Sequence, residues 1–208
     1  MIMIYIVGVG PGSEDYLTLK AIKTVKNADI IAGSKRLLNL FDIADSSKFV
    51  LTVNLKEELK ELLDKKENYS NIVILSSGDP CFSGLLKTAL NYVDKKDIEV
   101  ISGISSIQIA ASKIKISWED YTILTLHGKE ENRENLLNLI KNNKKVIFLP
   151  SNVKKDIKYL LDNGVNPNKK IWICESLTYP NEKIIYDSFD NILNGKNDIS
   201  YFSVCIVD

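Results

Sequence analysis

The stretch that decides the fold is residues 4–22, IYIVGVGPGSEDYLTLKAI. An apolar run ends there in glycines at positions 8, 10 and 12, with Pro11 before the last of them. Such a run is typical of a buried strand that ends in a loop. Because glycine has no Cβ, it lets the backbone approach a ligand closely. The stretch therefore predicts a strand, then a ligand-binding loop, then a helix with Thr18 as its N-cap.

A dinucleotide-binding loop looks similar, but its pattern is GxGxxG. Counted from Gly8, the third glycine falls at position 13, where this chain has Ser13. The pattern also needs a helix N-terminus at the loop, so that pyrophosphate meets free N–H groups, whereas the helix predicted here begins only at Thr18. Asp29 does fit the pattern, because it lies at about the 20-residue spacing expected of the acid that binds ribose. The loop therefore disfavours a nicotinamide-dependent oxidoreductase, which stays as the alternative from another enzyme class.

The first half of the chain repeats a strand-then-helix order, with strands predicted at 3–9, 28–33 and 71–80, and with IEVISGISS (98–106) predicted as a strand followed by a loop. This alternation predicts a mostly parallel sheet. In such sheets ligands bind at the carboxyl ends of the strands. Glycine-bearing loops follow three predicted strands, at residues 8–12, 76–80 and 102–106. We therefore expect the three loops to meet at one edge of the sheet.

The pattern restarts near residues 115–121, KISWEDY, with strands and helices alternating again. Two α/β domains are predicted, 1–114 and 115–208, with a cleft between them. Segments 182–189 and 200–208 are predicted to form a closing antiparallel pair.

Composition excludes several classes of protein. The 27 Lys and Arg residues balance the 27 Asp and Glu residues, so nothing global attracts nucleic acid or an anionic membrane. No apolar run has the roughly 18 residues of a membrane span, and no basic leader is present. Cys81, Cys174 and Cys205 are far apart, which predicts free thiols in a reducing cytoplasm and no zinc or other metal site.

Three motifs resemble the tetrapyrrole methylases, which use S-adenosylmethionine. They are IVGVGPGSEDYLTLKA, SSGDPCFSGL (76–85) and ISGISSIQIAASKI (101–114), with Ser102 where the family usually has proline. Three more segments are similar to the branch that methylates carbon 5 of a cobalt-precorrin in anaerobic cobalamin synthesis. These are AGSKRLL (32–38), SWEDYTILTLHGK (117–129) and ESLTYPNEKI (175–184). The resemblance covers nearly the whole chain.

The resemblance implies two α/β domains with S-adenosylmethionine folded between them and a tetrapyrrole in a trough beside it. It also implies a homodimer, and a separate partner enzyme for methylation and decarboxylation at carbon 15. The diphthamide-synthesis methylases share this fold, but they lack Pro11 and the HGK sequence at 127–129. Two further possibilities stay open, a methylase for a different ring carbon and a catalytically silent macrocycle-binding protein.

The resemblance also implies cofactor-binding residues. Asp79 has an alternative role in an Asx-type turn before Pro80, and Phe82 an alternative role in the core. The serines after Gly103 have an alternative role as helix caps. The predicted cofactor-binding residues are Gly8, Gly10, Pro11, Gly78, Asp79, Phe82, Ser105 and Ser106.

Methyl transfer to a reduced macrocycle needs no covalent nucleophile on the enzyme, and the chain has no GxSxG motif. His127, the one histidine, is the predicted catalytic residue, as acceptor of the proton lost after methylation. Arg36, Lys129 and Arg133 are predicted to bind substrate carboxylates, because arginine pairs with them through two hydrogen bonds. Lys35 is interpreted as a solvated surface residue and Cys81 as a packing thiol.

Overall fold

The computed structural model describes residues 3–129, 131–196 and 198–208. They form two compact units, Met1–Ser105 and Ser106–Asp208, and each unit contains one five-stranded sheet. The predicted α/β class is confirmed. The division lies ahead of the predicted boundary after residue 114, because helix Ser106–Ile114 packs against strand Ser203–Val207 of the second unit.

The first unit contains a fully parallel sheet in the order β3-β2-β4-β1-β5. Its strands are β1 (Met3–Gly8), β2 (Ile30–Gly33), β3 (Lys48–Val50), β4 (Asn71–Ser76) and β5 (Ile98–Ile101). Its helices are α1 (Leu19–Lys26), α2 (Lys35–Leu38), α3 (Leu55–Asp64) and α4 (Leu86–Ala89). The predicted parallel sheet is thus confirmed in this unit, while β3 and α2 were not predicted.

Helices cover both faces of this sheet, and this explains why its central strands are apolar at successive positions. Ile4 and Ile6 of β1 lie in a core that includes Leu59 of α3. Val7 points to the other face, in a core that includes Val25 of α1. Helix α1 begins as predicted, with the Thr18 hydroxyl accepting a hydrogen bond from the Ala21 N–H at 3.1 Å.

The second unit contains a mixed sheet in the order β6-β7-β10-β8-β9. Its strands are β6 (Thr122–Thr125), β7 (Val146–Leu149), β8 (Lys170–Glu175), β9 (Lys183–Ser188) and β10 (Ser203–Val207). Its helices are α5 (Ser106–Ile114), α6 (Asn132–Lys141), α7 (Val153–Asp162) and α8 (Phe189–Asn194). Strands β6 and β7 are parallel, and the other pairs are antiparallel.

The predicted pairing of the last two strands is wrong. Strands β9 and β10 lie on opposite sides of β8 and do not pair with each other. Every residue of β10 is buried, which suits a central strand, whereas β9 is largely exposed and forms an edge. Burial along the whole of β10 therefore requires neighbours on both sides, β7 and β8.

Cys81, Cys174 and Cys205 are unpaired. Cys81 is exposed, which corrects its interpretation as a packing thiol. Within the described ranges, no helix is both long and apolar enough to cross a membrane. The same ranges contain no group of three or more His, Cys, Asp and Glu side chains that could hold a metal ion.

Candidate functional site

The three glycine loops of the first unit converge as predicted. They follow β1, β4 and β5, and β1 lies between the other two strands in the sheet. Because all three strands are parallel, their carboxyl ends lie at the same edge. The pairing of β1 with β4 continues into the loops, since the Val9 N–H donates to the Ser76 carbonyl at 3.0 Å.

Gly8 and Gly103 are required by the close approach of the loop backbones. A Cβ on Gly8 would lie 2.5 Å from the Gly103 nitrogen and 2.7 Å from the Gly78 carbonyl oxygen. A Cβ on Gly103 would lie 2.7 Å from the Gly8 carbonyl carbon. These separations are shorter than any van der Waals contact, so the three loops meet in a way that only glycine permits.

Gly10 and Gly78 shape the same edge through their backbone conformation. Their φ values are +74° and +63°, in the left-handed region that favours glycine. The Gly78 N–H donates to the Gly10 carbonyl at 2.8 Å. A Cβ on Gly78 would meet no heavy atom nearer than the Ser105 Cα, at 3.8 Å. A Cβ would therefore have room at Gly78, whereas it would have none at Gly8 or Gly103.

Asp79 links two of the loops. Its Oδ1 accepts a hydrogen bond from the Cys81 N–H at 2.8 Å, which is the Asx-type bond left open by the sequence. Its Oδ2 accepts from the Gly103 N–H at 3.2 Å, so the same carboxylate also holds the third loop. Asp79 is therefore a positioning residue in the described structure, and its contact with the cofactor stays a prediction.

The other predicted cofactor residues lie at or next to this edge. Pro11 follows Gly10 in the first loop and is half-buried. Phe82 is half-buried beyond Asp79, and its N–H donates to the Asp79 carbonyl at 3.3 Å. Ser105 is the last residue of the first unit, and Ser106 is the first residue of α5.

Asp29, the ribose acid of the dinucleotide alternative, lies at the amino ends of the strands, opposite the end that carries the glycine loops. It immediately precedes β2, and its Oδ2 accepts hydrogen bonds from the Ser70 and Asn71 N–H groups at 2.7 and 2.8 Å. The bond from Asn71, followed by that from Ser70, lowers the pKa of the Asp29 carboxyl. This carboxylate ties β2 to β4 and is remote from the glycine loops.

In the second unit, His127 lies just beyond the carboxyl end of β6. Its ring stacks on the Tyr201 ring, with centroids 4.8 Å apart, and the Tyr201 hydroxyl is 3.4 Å from Nδ1. Its Nε2 is buried and has no hydrogen-bond partner among the residues that the structure describes. Burial lowers the pKa of His127, against smaller raising effects of the Pro150 carbonyl and the Asp156 charge. Burial therefore favours the neutral form of the ring.

Arg133 of α6 forms an ion pair with Asp156 of α7. Its Nε donates to Asp156 Oδ1 and its Nη2 to Ser151 Oγ, both at 2.8 Å. Asp156 is 1% exposed and also accepts from the Ser151 and Asn152 N–H groups, at 2.8 and 3.1 Å. The predicted substrate contact of Arg133 would compete with these bonds.

The remaining predicted substrate residues are placed differently. Lys129 is half-buried in the turn after His127. Arg36 lies in the first unit, half-buried, and its Nη2 donates to Ser77 Oγ at 3.2 Å. Arg36 is therefore directly beside the second glycine loop, and Lys35 is exposed as expected.

Comparison with known proteins identifies the family. Residues 3–192 match the family model of the tetrapyrrole (corrin/porphyrin) methylases. The chain belongs to this family. It is 65% identical to the probable cobalt-precorrin-7 C(5)-methyltransferase of Methanocaldococcus jannaschii, over 99% of this chain and 98% of that protein.

Solved structures confirm the tetrapyrrole methylase fold. The precorrin-6Y methylase of Archaeoglobus fulgidus is similar with a TM-score of 0.75 and 23% identity, over 99% of this chain and 97% of that one. The uroporphyrin-III C-methyl transferase of Thermus thermophilus, complexed with S-adenyl homocysteine, is similar with a TM-score of 0.76 and 21% identity. That match covers 99% of this chain and 91% of the other.

Sequence reasoning missed Tyr201 and Asp156 of this methylase. Asp156 did carry a signal, because it falls at helical spacing on the buried face of α7 with Val153, Ile157 and Leu160. An acid on an apolar stripe needs a buried partner. The partner, Arg133, lies on another helix, so the helical pattern alone does not identify it.

We expect Gly8→Ala to destabilise the methylase far more than Gly78→Ala. The new Cβ at Gly8 would displace backbone of another loop, whereas at Gly78 it adds only the strain of a positive φ, about 1 kcal/mol. Urea unfolding followed by circular dichroism measures both. Equal losses of stability would contradict the packing of the three loops.

We expect Asp156→Asn to lower the free energy of unfolding by about 3 kcal/mol, because it leaves the Arg133 charge without its buried partner. Asp162→Asn is the matched control on the same helix. Asp162 pairs with Lys158 at the surface, where such a pair contributes about 0.5 kcal/mol. Similar urea midpoints for the two variants would show that the Asp156 pair is not structural.

Proposed function

We propose that this methylase transfers a methyl group from S-adenosylmethionine to carbon 5 of cobalt-precorrin-7. The observation that carries the proposal is the 65% identity to the probable C(5)-methyltransferase, over almost the full length of both chains. The carbon-5 branch motifs, among them Arg36 in AGSKRLL and His127 in LTLHGK, lie within that span.

The first-unit loops suit the cofactor. The space at Gly78 is open, since a Cβ there would meet only the Ser105 Cα at 3.8 Å, and a ligand can therefore approach the loop backbone closely. When bound, S-adenosylmethionine supplies an electrophilic methyl group on a sulfonium. A protein of the same fold binds S-adenyl homocysteine, the product that remains after transfer. We propose that Gly8, Gly10, Pro11, Gly78, Asp79, Phe82, Ser105 and Ser106 form this site.

The reaction requires the protein mainly to align the two reactants. The reduced macrocycle brings a nucleophilic carbon, so the residues must hold the two reactants in line and exclude water. Asp79 contributes by fixing the second and third loops against each other. His127 is the proposed acceptor of the proton that leaves after methylation, because its ring lies just beyond the carboxyl end of β6 and burial lowers its pKa, which favours the neutral form that accepts a proton.

Arg36 and Lys129 are the proposed contacts for substrate carboxylates. Arg133 is proposed to act indirectly, by holding Asp156 and Ser151 in place. The proposal further includes a cytoplasmic homodimer. Methylation at carbon 15 and decarboxylation would fall to a separate enzyme.

The first test is calorimetric titration of the purified protein with S-adenosylhomocysteine, NAD and NADP, followed by incubation with S-adenosylmethionine and cobalt-precorrin-7. We expect binding of S-adenosylhomocysteine alone among the three, and a corrinoid product that has gained one methyl group. Carbon-13 labelling of the donor methyl locates it by NMR. A label on another ring carbon would reject the carbon-5 assignment, and nicotinamide binding would reject the methylase proposal.

We expect His127→Asn to lower kcat on the order of a hundredfold, as for loss of a general base, and to leave S-adenosylhomocysteine affinity unchanged. In the wild type, kcat should fall as the pH drops through the lowered pKa of His127, because protonation removes the acceptor. The variant should lack this acid limb. Tyr201→Phe keeps the stacked ring and His127, so it is the control and should retain the acid limb. An acid limb that persists in His127→Asn would show that another group titrates.

A further inference from the structure

Strand β9 ends the second sheet, and one of its edges has no partner strand among the described residues. It has six residues, whereas the other edge strands of the described sheets, β3, β5 and β6, have three or four. Natural proteins usually protect an edge with a proline, a bulge or a very short strand. Strand β9 contains no proline, and its register with β8 is unbroken. Its edge is therefore open to pairing.

The backbone groups on that edge belong to Ile184 and Tyr186. The Phe189 N–H donates to the Lys169 carbonyl at 3.0 Å, and hydrogen-bonded pairs alternate with non-bonded pairs along an antiparallel ladder. The odd-numbered residues of β9 therefore bond to β8, while Ile184 and Tyr186 direct their N–H and C=O groups away from it. Such a row of donors and acceptors is a template for another strand.

The same two residues expose apolar side chains. Ile184 is 37% exposed and Tyr186 is 53% exposed. Because side chains alternate along a strand, both lie on the face opposite the core that contains Ile173 and is contacted by Ile185. The Tyr186 ring stacks on Trp172 of β8, with centroids 4.2 Å apart, so it is already held in place. An ordered apolar surface of this kind favours an apolar partner strand.

The sequence of β9 is complementary to that of a second β9. It reads KIIYDS, with Lys183 two positions before Ile185 and Asp187 two positions after it. In an antiparallel pair centred on Ile185, Lys183 of each copy lies opposite Asp187 of the other. Ile184 then lies opposite Tyr186, and their outward backbone groups face each other. Centring the pair on Ile184 or on Tyr186 instead loses both matches.

The single chain leaves both charges available for this contact. Lys183 is exposed. Asp187 accepts hydrogen bonds from Asn191 Nδ2 at 2.7 Å and from the Ser188 N–H at 2.8 Å, and these bonds lower the pKa of its carboxyl, which is therefore ionised at neutral pH. Lys170 Nζ lies 3.8 Å from the same oxygen. All three contacts use Oδ1, so Oδ2 remains for a cation from another chain.

We propose that β9 pairs antiparallel with β9 of a second copy of this chain, about a two-fold axis at Ile185. The second-unit sheets of the two copies then form one continuous sheet. This inference rests on one part of the proposed function, the homodimer, to which it assigns a surface and a register. Because the same edge serves both copies, the assembly closes at two chains.

The test measures dimer dissociation by sedimentation equilibrium for Lys183→Glu and Asp187→Lys, each alone and then in equal mixture. Each variant alone places like charges opposite each other at both ends of the strand pair. We therefore expect its dissociation constant to rise on the order of tenfold to a hundredfold. In the mixture each variant supplies the charge that the other requires, so a mixed dimer should form about as tightly as the wild-type dimer. A purification tag on Lys183→Glu identifies the mixed dimer by copurification.

Two controls match the variants. Lys60→Glu makes the same charge change at an exposed residue of α3 and should dimerise as wild type does. Ile184→Lys should weaken the dimer, whereas Val53→Lys, at a residue that is 97% exposed in the first unit, should not. Urea unfolding checks that each variant is folded. If Asp187→Lys is not, Lys183→Glu and Ile184→Lys with their controls decide the result.

The outcomes separate this inference from the rest of the proposed function. A monomeric wild type would overturn the homodimer and the β9 interface together, and would leave methyl transfer untouched. A wild-type dimer that persists unchanged in Lys183→Glu and Ile184→Lys would reject the β9 interface alone. A mixture that stays monomeric, although both charge variants fold, would overturn the register and with it the proposal. A dimer with this pattern that does not bind S-adenosylhomocysteine would support the interface and reject the methylase proposal.

Discussion

The candidate site depends on backbone packed directly against backbone. Gly8, Gly78 and Gly103 come from three loops that are far apart in the chain, and two of them tolerate no side chain at all. This contact brings amides and carbonyls to one edge of the parallel sheet, and the Asp79 carboxylate fixes it by bonding both its own turn and Gly103. The open space beside Gly78 belongs to the same arrangement.

Much of the first unit was predictable because its signals are local. Apolar runs that end in glycine identify strands of a parallel sheet, and the Thr18 cap located the start of α1. Short elements such as β3 were missed, since three residues carry too little pattern. The place of β10 was missed for a different reason. A strand's own residues show that it is buried, but they do not name the two strands that bury it.

The same division between local and distant information applies to the candidate functional residues. The loop glycines and His127 stand in recognisable motifs, so the sequence alone made them candidates. The contacts that define their surroundings join residues far apart in the chain: Tyr201 reaches His127 across 74 positions, and Arg133 reaches Asp156 across 23. Such pairs arise only from the fold. The Arg133 pair bears on a prediction as well, because a substrate carboxylate would compete with Asp156 for the guanidinium, and the substrate contact of Arg133 stays a prediction.

The central position of β10 affects how the protein is made. All strands of the first sheet have emerged from the ribosome once residue 101 has emerged, so that sheet can assemble during translation. The second sheet lacks its middle strand until residues 203–207 emerge. Until then β6 with β7 and β8 with β9 are separate two-stranded pieces, which are marginally stable in water and have unpaired edges. The nascent second unit is thus the part of the chain that most needs protection by chaperones.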